Sequence, residues 1–137
     1  MSLLTPTEVN RIAFITPIDS ALIPEEIIQV AETEYIIPAL TKPVYIDLSQ
    51  HPVIYTTLIA EYIKPYLAYC VKYLLYSQYY SETLSSSNLD KSRADILNET
   101  NVIIQAKKDL LKIQLASGIY PLYCSPVKKR ISGFIIK

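Results

Sequence analysis

Histidine, cysteine and paired carboxylates are the side chains in this chain of 137 residues that could do chemistry. It has one histidine and two cysteines. His51 stands alone, so a metal site built from several histidines is excluded within one chain. Pro52 places it at a boundary between a loop and a helix, where histidine is usually a surface or capping residue. Cys70 and Cys124 match no metal-ligand spacing, and Cys70 lies among apolar neighbours, where a thiol behaves as a small hydrophobe.

The third kind is the paired carboxylate, found at Glu25/Glu26 and at Glu32/Glu34. Either pair could bind a cation or act as an acid and a base. Acids at a helix start or on a solvated helix face are the more ordinary explanation. A glycine-rich phosphate loop and a Gly-x-Ser-x-Gly nucleophile elbow are both absent from a sequence with only two glycines. We therefore expect no enzymatic activity, no cofactor and no metal.

Tyrosine is the abundant functional side chain. A stripe at near-helical spacing comprises Tyr55, Tyr62, Tyr66, Tyr69, Tyr73, Tyr76 and Tyr80. Such a stripe is either core packing or a protein interface, where tyrosine contributes a large area and a phenol that bonds at the wet edge. Stacking on nucleic-acid bases is disfavoured because few basic residues are interleaved. We predict interface contacts for Tyr62, Tyr66, Tyr69, Tyr73 and Tyr76.

The elements that would position these residues are helical. Thr5-Pro6-Thr7-Glu8 is a capping box, which predicts a first helix to about Ile15, ended by Thr16-Pro17. A second helix is expected from Ser20 or Pro24, with Pro38 ending or kinking it. Residues 41–52 suggest a connecting loop with a short extended piece.

Two long helices are predicted to follow. The third covers about 53–81 with a kink at Pro65, and the fourth starts near Asp90 or Ser92, ends near Ser117 and has Gly118 as its stop signal. The apolar pairs of the fourth recur every seven residues, at Ile96/Leu97, Ile103/Ile104 and Leu110/Leu111. The predicted fold class is all-α: a helical bundle with a long antiparallel hairpin and a short extended C-terminal tail. Residues 1–118 would form the helical domain and 119–137 a docking tail, with no internal repeat.

Charge and hydropathy point to partners rather than to a substrate. Half of the residues are hydrophobic and only 19% are charged, so some apolar surface is expected to be covered by protein. Residues 1–50 hold two basic and seven acidic side chains, a net charge of −5, and the remainder carries +5. Such copies can attract each other head to tail. The apolar run at 62–76 is interrupted by Lys64, Pro65 and Lys72, so we expect no membrane span.

The last ten residues combine a basic cluster with apolar side chains. The cluster is Lys128, Lys129 and Arg130, and the apolar residues are Phe134, Ile135 and Ile136. The apolar residues would be poorly tolerated in water, so they should dock either back onto the domain or onto a neighbour by strand addition. The basic cluster is either a solvated anchor or a partner for the acidic front of an adjacent copy. All six are predicted interface residues.

Two segments near the start of the chain resemble the opening of tailed-phage head-to-tail connector proteins. They are Leu3-Leu4-Thr5-Pro6-Thr7-Glu8-Val9 and Ile18-Asp19-Ser20-Ala21-Leu22-Ile23-Pro24-Glu25-Glu26-Ile27-Ile28-Gln29-Val30-Ala31-Glu32. In those proteins a short capped helix is followed by an acidic turn and a second helix. The long helical hairpin and the basic, apolar tail also resemble the neck ring proteins of crAss-like and related Bacteroidales phages. The tyrosine stripe and the longer third and fourth helices depart from the commoner small connectors.

The resemblance implies a virion structural protein and not an enzyme. It implies a homo-oligomeric ring, typically a dodecamer, between the portal protein and the tail or neck proteins, located in the virion neck after assembly in the host cytoplasm. DNA would pass through the channel without specific binding, and the tail would reach a neighbouring subunit, the portal or the next ring. The alternative is a small helical binding or regulatory module that holds a peptide or nucleic acid on its tyrosine-rich face.

Overall fold

The computed structural model describes residues 3–14, 18–78 and 93–123, and within these ranges the chain is all-α with no strand. Its helices are α1 (Pro6–Ala13), α2 (Glu25–Ala31), α3 (Ile37–Leu40), α4 (Lys42–Gln50), α5 (Thr56–Leu58), α6 (Lys64–Gln78) and α7 (Arg93–Leu115). Two 3-10 turns, Ser20–Leu22 and Pro52–Tyr55, precede α2 and α5. Two π-helical turns, Glu32–Ile36 and Ile59–Ile63, join α2 to α3 and α5 to α6. The predicted all-α fold class is confirmed.

The first helix begins with the predicted capping box. The Glu8 backbone N–H donates to Thr5 Oγ1 at 3.2 Å, and the Thr5 N–H donates to Glu8 Oε1 at 3.1 Å. The helix ends at Ala13, two residues before the predicted end. Two lysines of α6 hold it in place: Lys64 Nζ lies 2.5 Å from Glu8 Oε2, and Lys72 Nζ donates to the Ala13 carbonyl at 3.1 Å. The start and end of α1 are therefore both fixed to α6.

The expectation of no internal repeat was wrong. Residues 34–38 and 61–65 both have the sequence Glu-Tyr-Ile-x-Pro, and in each case a π-helical turn ends at the isoleucine and an α-helix starts at the next residue. The identity extends to three buried apolar pairs at the same offset, Leu40/Leu67, Val44/Val71 and Leu48/Leu75. A proline inside a helix lacks an N–H and collides with the carbonyl four residues back. The wider π turn accommodates each proline, so the helix continues through it.

The predicted loop at 41–52 was also wrong, because most of it is helix α4. Pro43 lies in the first turn of α4, where a missing N–H costs no hydrogen bond. Pro52 similarly opens the 3-10 turn before α5. Val44 and Leu48, one helical turn apart, are fully buried and attach α4 to the core. These prolines start helices rather than marking a loop.

Thr41, between α3 and α4, has an unusual backbone conformation. Its φ is 71° and its ψ is 154°, a region that β-branched residues rarely adopt. The cause is Pro43, which stops the helix from continuing past Leu40. Pro43 comes five residues after Pro38, whereas the residue five positions after Pro65 is Cys70, which a helix accommodates. The Thr41 hydroxyl is buried and has no hydrogen-bond partner among the described residues.

Helix α6 is the centre of the fold and packs against α1, α2 and α7. One member of each predicted apolar pair on α7 is buried, namely Ile96, Ile104 and Leu111. Residues near the start of α6 lie close to residues near the end of α7. Tyr66 of α6 and Lys112 of α7 line one groove, and the ring of Tyr55, which precedes α5, stacks on the ring of Tyr120, which follows α7. The antiparallel hairpin itself stays a prediction. The connection at 79–92, with the predicted serine turn, lies outside the described residues.

Candidate interaction surface

Several exposed apolar side chains lie on the last turns of α7, in the segment that follows it, or in the 3-10 turn whose Tyr55 stacks on Tyr120. The group comprises Ile54, Leu110, Ile113, Ile119 and Leu122, which are 71%, 50%, 69%, 65% and 46% exposed. We call these five residues the α7 end surface. Ile54 and Ile119 line one groove and Ile113 lines another, and exposed apolar side chains in such positions are candidates for contact with another molecule.

One groove lies on each side of this helix end. The first, which we call the tyrosine groove, has a volume of about 440 Å³ and lies between residues 34–39 and α7. It is lined by Glu34, Tyr35, Pro38, Ala39, Tyr66, Lys108, Lys112, Ile113, Ala116 and Tyr123. Burial raises the pKa of Tyr35, so its phenol stays protonated and can donate a hydrogen bond. Lys108 and Lys112 are one turn apart on α7 and give the α7 wall a positive charge.

The second, the isoleucine groove, has a volume of about 500 Å³ and is lined by Asp47, Ile54, Tyr55, Thr57, Gln114, Ile119, Tyr120 and Pro121. Tyr55 Oη donates to Asp47 Oδ2 at 2.5 Å, and the Tyr55 ring stacks on Tyr120 with 5.8 Å between ring centres. Burial, followed by this hydrogen bond, raises the pKa of Tyr55 to about 12. These contacts fix the chain after α7 against the helical domain, so Ile54 and Ile119 are held on one rigid wall.

The predicted tyrosine interface divides in the structure. Tyr66 and Tyr76 are core residues, 2% and 0% exposed, whereas Tyr62, Tyr69 and Tyr73 are half-buried at the edge of the core. The core explanation of the stripe therefore holds for three rings, Tyr66, Tyr76 and also Tyr55, which is 4% exposed. The edge tyrosines remain accessible, and their role in an interface stays a prediction.

The other predicted interface residues, Lys128, Lys129, Arg130, Phe134, Ile135 and Ile136, lie outside the described residues. Sequence reasoning did not single out Ile54, Ile113 or Ile119. A signal for Ile113 was present, because it lies off the seam of Ile96, Ile104 and Leu111, on the same side of the helix as the exposed Leu110 three residues earlier. The surface position of Ile54 and Ile119 had no such signal, since it depends on how residues 52–55 and 118–121 pack.

Of the residues considered for chemistry, Cys124 lies outside the described residues, and the others have the following positions. The His51 side chain is exposed at the end of α4, and the His51 backbone N–H donates to the Asp47 carbonyl at 2.8 Å. Cys70 is fully buried, and burial raises the pKa of its thiol to about 12, so it is protonated at neutral pH. Glu25 and Glu26 lie in the first turn of α2, as predicted. Within 3–14, 18–78 and 93–123, no three histidine, cysteine, aspartate or glutamate side chains come together as metal ligands.

Glu32 is a carboxylate that the sequence did not distinguish from its neighbours. It is 3% exposed and accepts a hydrogen bond from the Leu3 backbone N–H. Burial raises its pKa, although the bond from Leu3 opposes the rise. Glu32 therefore attaches the start of the described chain to the first π turn, and Glu34, two residues later, faces solvent.

Among the helices that the structure describes, none has the length and apolar character needed to cross a membrane. Comparison of the chain with protein-family models, with curated proteins and with solved structures gave no match.

Proposed function

We propose that this chain is a non-enzymatic structural subunit of a phage head-to-tail connector, which binds copies of itself and neighbouring portal and tail proteins. The observation that carries the protein-binding part is the α7 end surface, five exposed apolar residues beside two grooves. Leaving such side chains in water costs about 1.5–3 kcal/mol for each large one, and a partner would recover that free energy. The phage assignment rests on the resemblance of residues 3–32 to connector proteins.

The alternative function, a module that holds a peptide or nucleic acid on its tyrosines, requires accessible rings. Tyr66 and Tyr76 are 2% and 0% exposed, so neither ring offers a face on which a ligand could stack, although Tyr66 borders the tyrosine groove. Among the described residues of the stripe, the half-buried Tyr62, Tyr69 and Tyr73 could serve it, and Tyr35 and Tyr123 in the tyrosine groove could add to them. The connector proposal needs no such access, because its contacts use side chains that are already exposed.

The test is co-expression of the chain with the portal protein encoded in the same genome, followed by purification of portal rings and negative-stain electron microscopy. We expect the chain to copurify and to add density at one end of the ring. Wild-type chain that separates completely from the portal, and stays monomeric at high concentration in sedimentation velocity, would refute the connector proposal.

A matched pair of variants locates the contact surface. Val102 and Ile113 are both 69% exposed on α7, and they are about 16 Å apart along the helix. Ile113→Ser should weaken copurification at least about tenfold, the loss expected from one buried aliphatic side chain. Val102→Ser, which lies in neither groove, should bind like wild type. Equal weakening by both variants would rule out the α7 end surface as the contact.

A further inference from the structure

A third groove lies on the outer side of α2 and the first π turn. It has a volume of about 390 Å³ and is lined by Glu26, Gln29, Val30, Thr33 and Glu34, all exposed. We call it the acidic groove. Its lining contains two carboxylates and no basic residue, and Val30 is 38% exposed at its centre. A basic segment with adjacent apolar side chains would complement both its charge and its apolar floor.

The described chain ends at the tyrosine groove, which shares one wall residue, Glu34, with the acidic groove. Tyr123, the last described residue, lines the tyrosine groove together with Glu34, and Glu34 also lines the acidic groove. A turn in which the Tyr123 N–H donates to the Tyr120 carbonyl at 3.1 Å places it there, and the Tyr55 ring holds Tyr120 in turn. The last described residue, Tyr123, is therefore separated from the acidic groove by the width of the tyrosine groove.

The sequence of that segment matches the surfaces in order. Residues 124–127 are uncharged, and they would pass Lys108 and Lys112 without repulsion. The basic residues 128–130 come next, five to seven positions beyond Tyr123, a distance of about 17–23 Å in extended chain. Glu34 and Glu26 are eight residues apart along the helix, about 12 Å. The basic cluster can therefore reach both carboxylates.

We propose that residues 124–137 of the free subunit bind in cis to its own acidic groove, with the cluster Lys128-Lys129-Arg130 opposite Glu26 and Glu34 and the following apolar residues over Val30. Binding in cis is favoured because a tether of five residues gives an effective concentration on the order of millimolar. The inference does not rest on the connector proposal. It predicts that the acidic groove is covered in the isolated subunit.

Zero-length cross-linking tests the proposal directly. Equal amounts of ¹⁴N- and ¹⁵N-labelled wild-type protein are mixed, treated with a carbodiimide, and digested for mass spectrometry. We expect links from Lys128 or Lys129 to Glu26 or Glu34, and each linked pair should carry a single isotope. Pairs of mixed isotope would show that the segment binds a neighbouring copy, and links to other carboxylates alone would show that it lies elsewhere. Either result overturns the proposal.

Hydrogen exchange adds a readout that does not require a reactive carboxylate. In the double variant Glu26→Gln/Glu34→Gln, amides of residues 124–137 should exchange about two- to tenfold faster than in wild type, the range expected from two surface ion pairs. The control is Glu25→Gln, which removes an exposed acid from the same helix but lies in neither groove. Exchange that is equally fast in wild type, double variant and control would contradict binding to this groove.

Discussion

Replacing Thr41 by glycine should stabilise the protein, although glycine usually destabilises a helical segment. Thr41 has a φ of 71° and a ψ of 154°, in a region that glycine occupies without steric cost and that costs other residues about 1–3 kcal/mol. Glycine loses more backbone freedom on folding, which costs about 0.5–1 kcal/mol. The balance favours Thr41→Gly by about 1 kcal/mol, before any effect of the hydroxyl.

The hydroxyl needs its own control, because Thr41 Oγ1 is buried with no hydrogen-bond partner among the described residues. Removing such a group can itself stabilise the protein. Thr41→Ala removes the same hydroxyl and methyl groups but keeps Cβ and therefore the backbone strain. The difference between Thr41→Gly and Thr41→Ala isolates the strain, and glycine should be the more stable variant by about 1 kcal/mol.

Urea unfolding followed by far-ultraviolet circular dichroism measures these free energies. A difference of about 1 kcal/mol corresponds to roughly 3–6 °C in Tm for a domain of this size. Thr33 provides the reference, because it is exposed within a helical segment and its Oγ1 donates to the Gln29 carbonyl at 3.0 Å. There alanine should be more stable than glycine by about 0.5–1 kcal/mol. The same order at Thr41 as at Thr33 would refute the assignment of strain to Thr41.

Three further predictions concern buried groups. Glu32→Gln keeps an acceptor for the Leu3 N–H but removes the titrating carboxyl. Burial raises the folded-state pKa of Glu32, so the free energy of unfolding of the wild type falls as pH rises from the unfolded-state pKa through the folded-state pKa. In urea unfolding, the stability of the variant relative to wild type should therefore increase between pH 4 and pH 7. A gain that is largest at pH 4 would show the opposite shift. Leu111→Ala should cost about 2–5 kcal/mol in the free energy of unfolding, whereas the exposed neighbour in Leu110→Ala should cost less than about 1 kcal/mol; similar costs would mean that the α7 seam is misplaced. Cys70, with its pKa raised to about 12, should react with a thiol reagent at pH 7 only as fast as the protein opens, and labelling faster than hydrogen exchange of the α6 amides would contradict its burial.

Much of the fold followed from local signals in the sequence. The capping box at Thr5 and Glu8, the acidic first turn of α2 and the positive φ of 95° at Gly118 depend on atoms only a few residues apart. The predicted pairs on α7 each bury one member, Ile96 of Ile96/Leu97 and Leu111 of Leu110/Leu111. A helical seam with a period near seven residues requires this pattern. These features were readable because neighbouring residues determine them.

Other features were misread because proline and tyrosine have more than one role. Pro43 and Pro52 suggested a loop, but both lie at helix starts, where the missing N–H is harmless. Pro38 and Pro65 suggested ends or kinks, but a preceding π turn accommodates each of them. The repeated Glu-Tyr-Ile-x-Pro sequence carried that signal, and it was visible in the sequence before the structure gave it a meaning.

The sequence by itself determined that this chain forms helices, where several of them begin and end, and that Cys70 belongs to an apolar environment. Only the tertiary structure decided that Tyr66 and Tyr76 are core while Ile54, Ile113 and Ile119 are exposed together. The physical reason is that helix formation depends on contacts within about four residues, whereas burial depends on which distant helix covers a given face. Among the described residues, the packing of α1, α2 and α7 around α6 leaves the side chain of Ile113 near the end of α7 exposed.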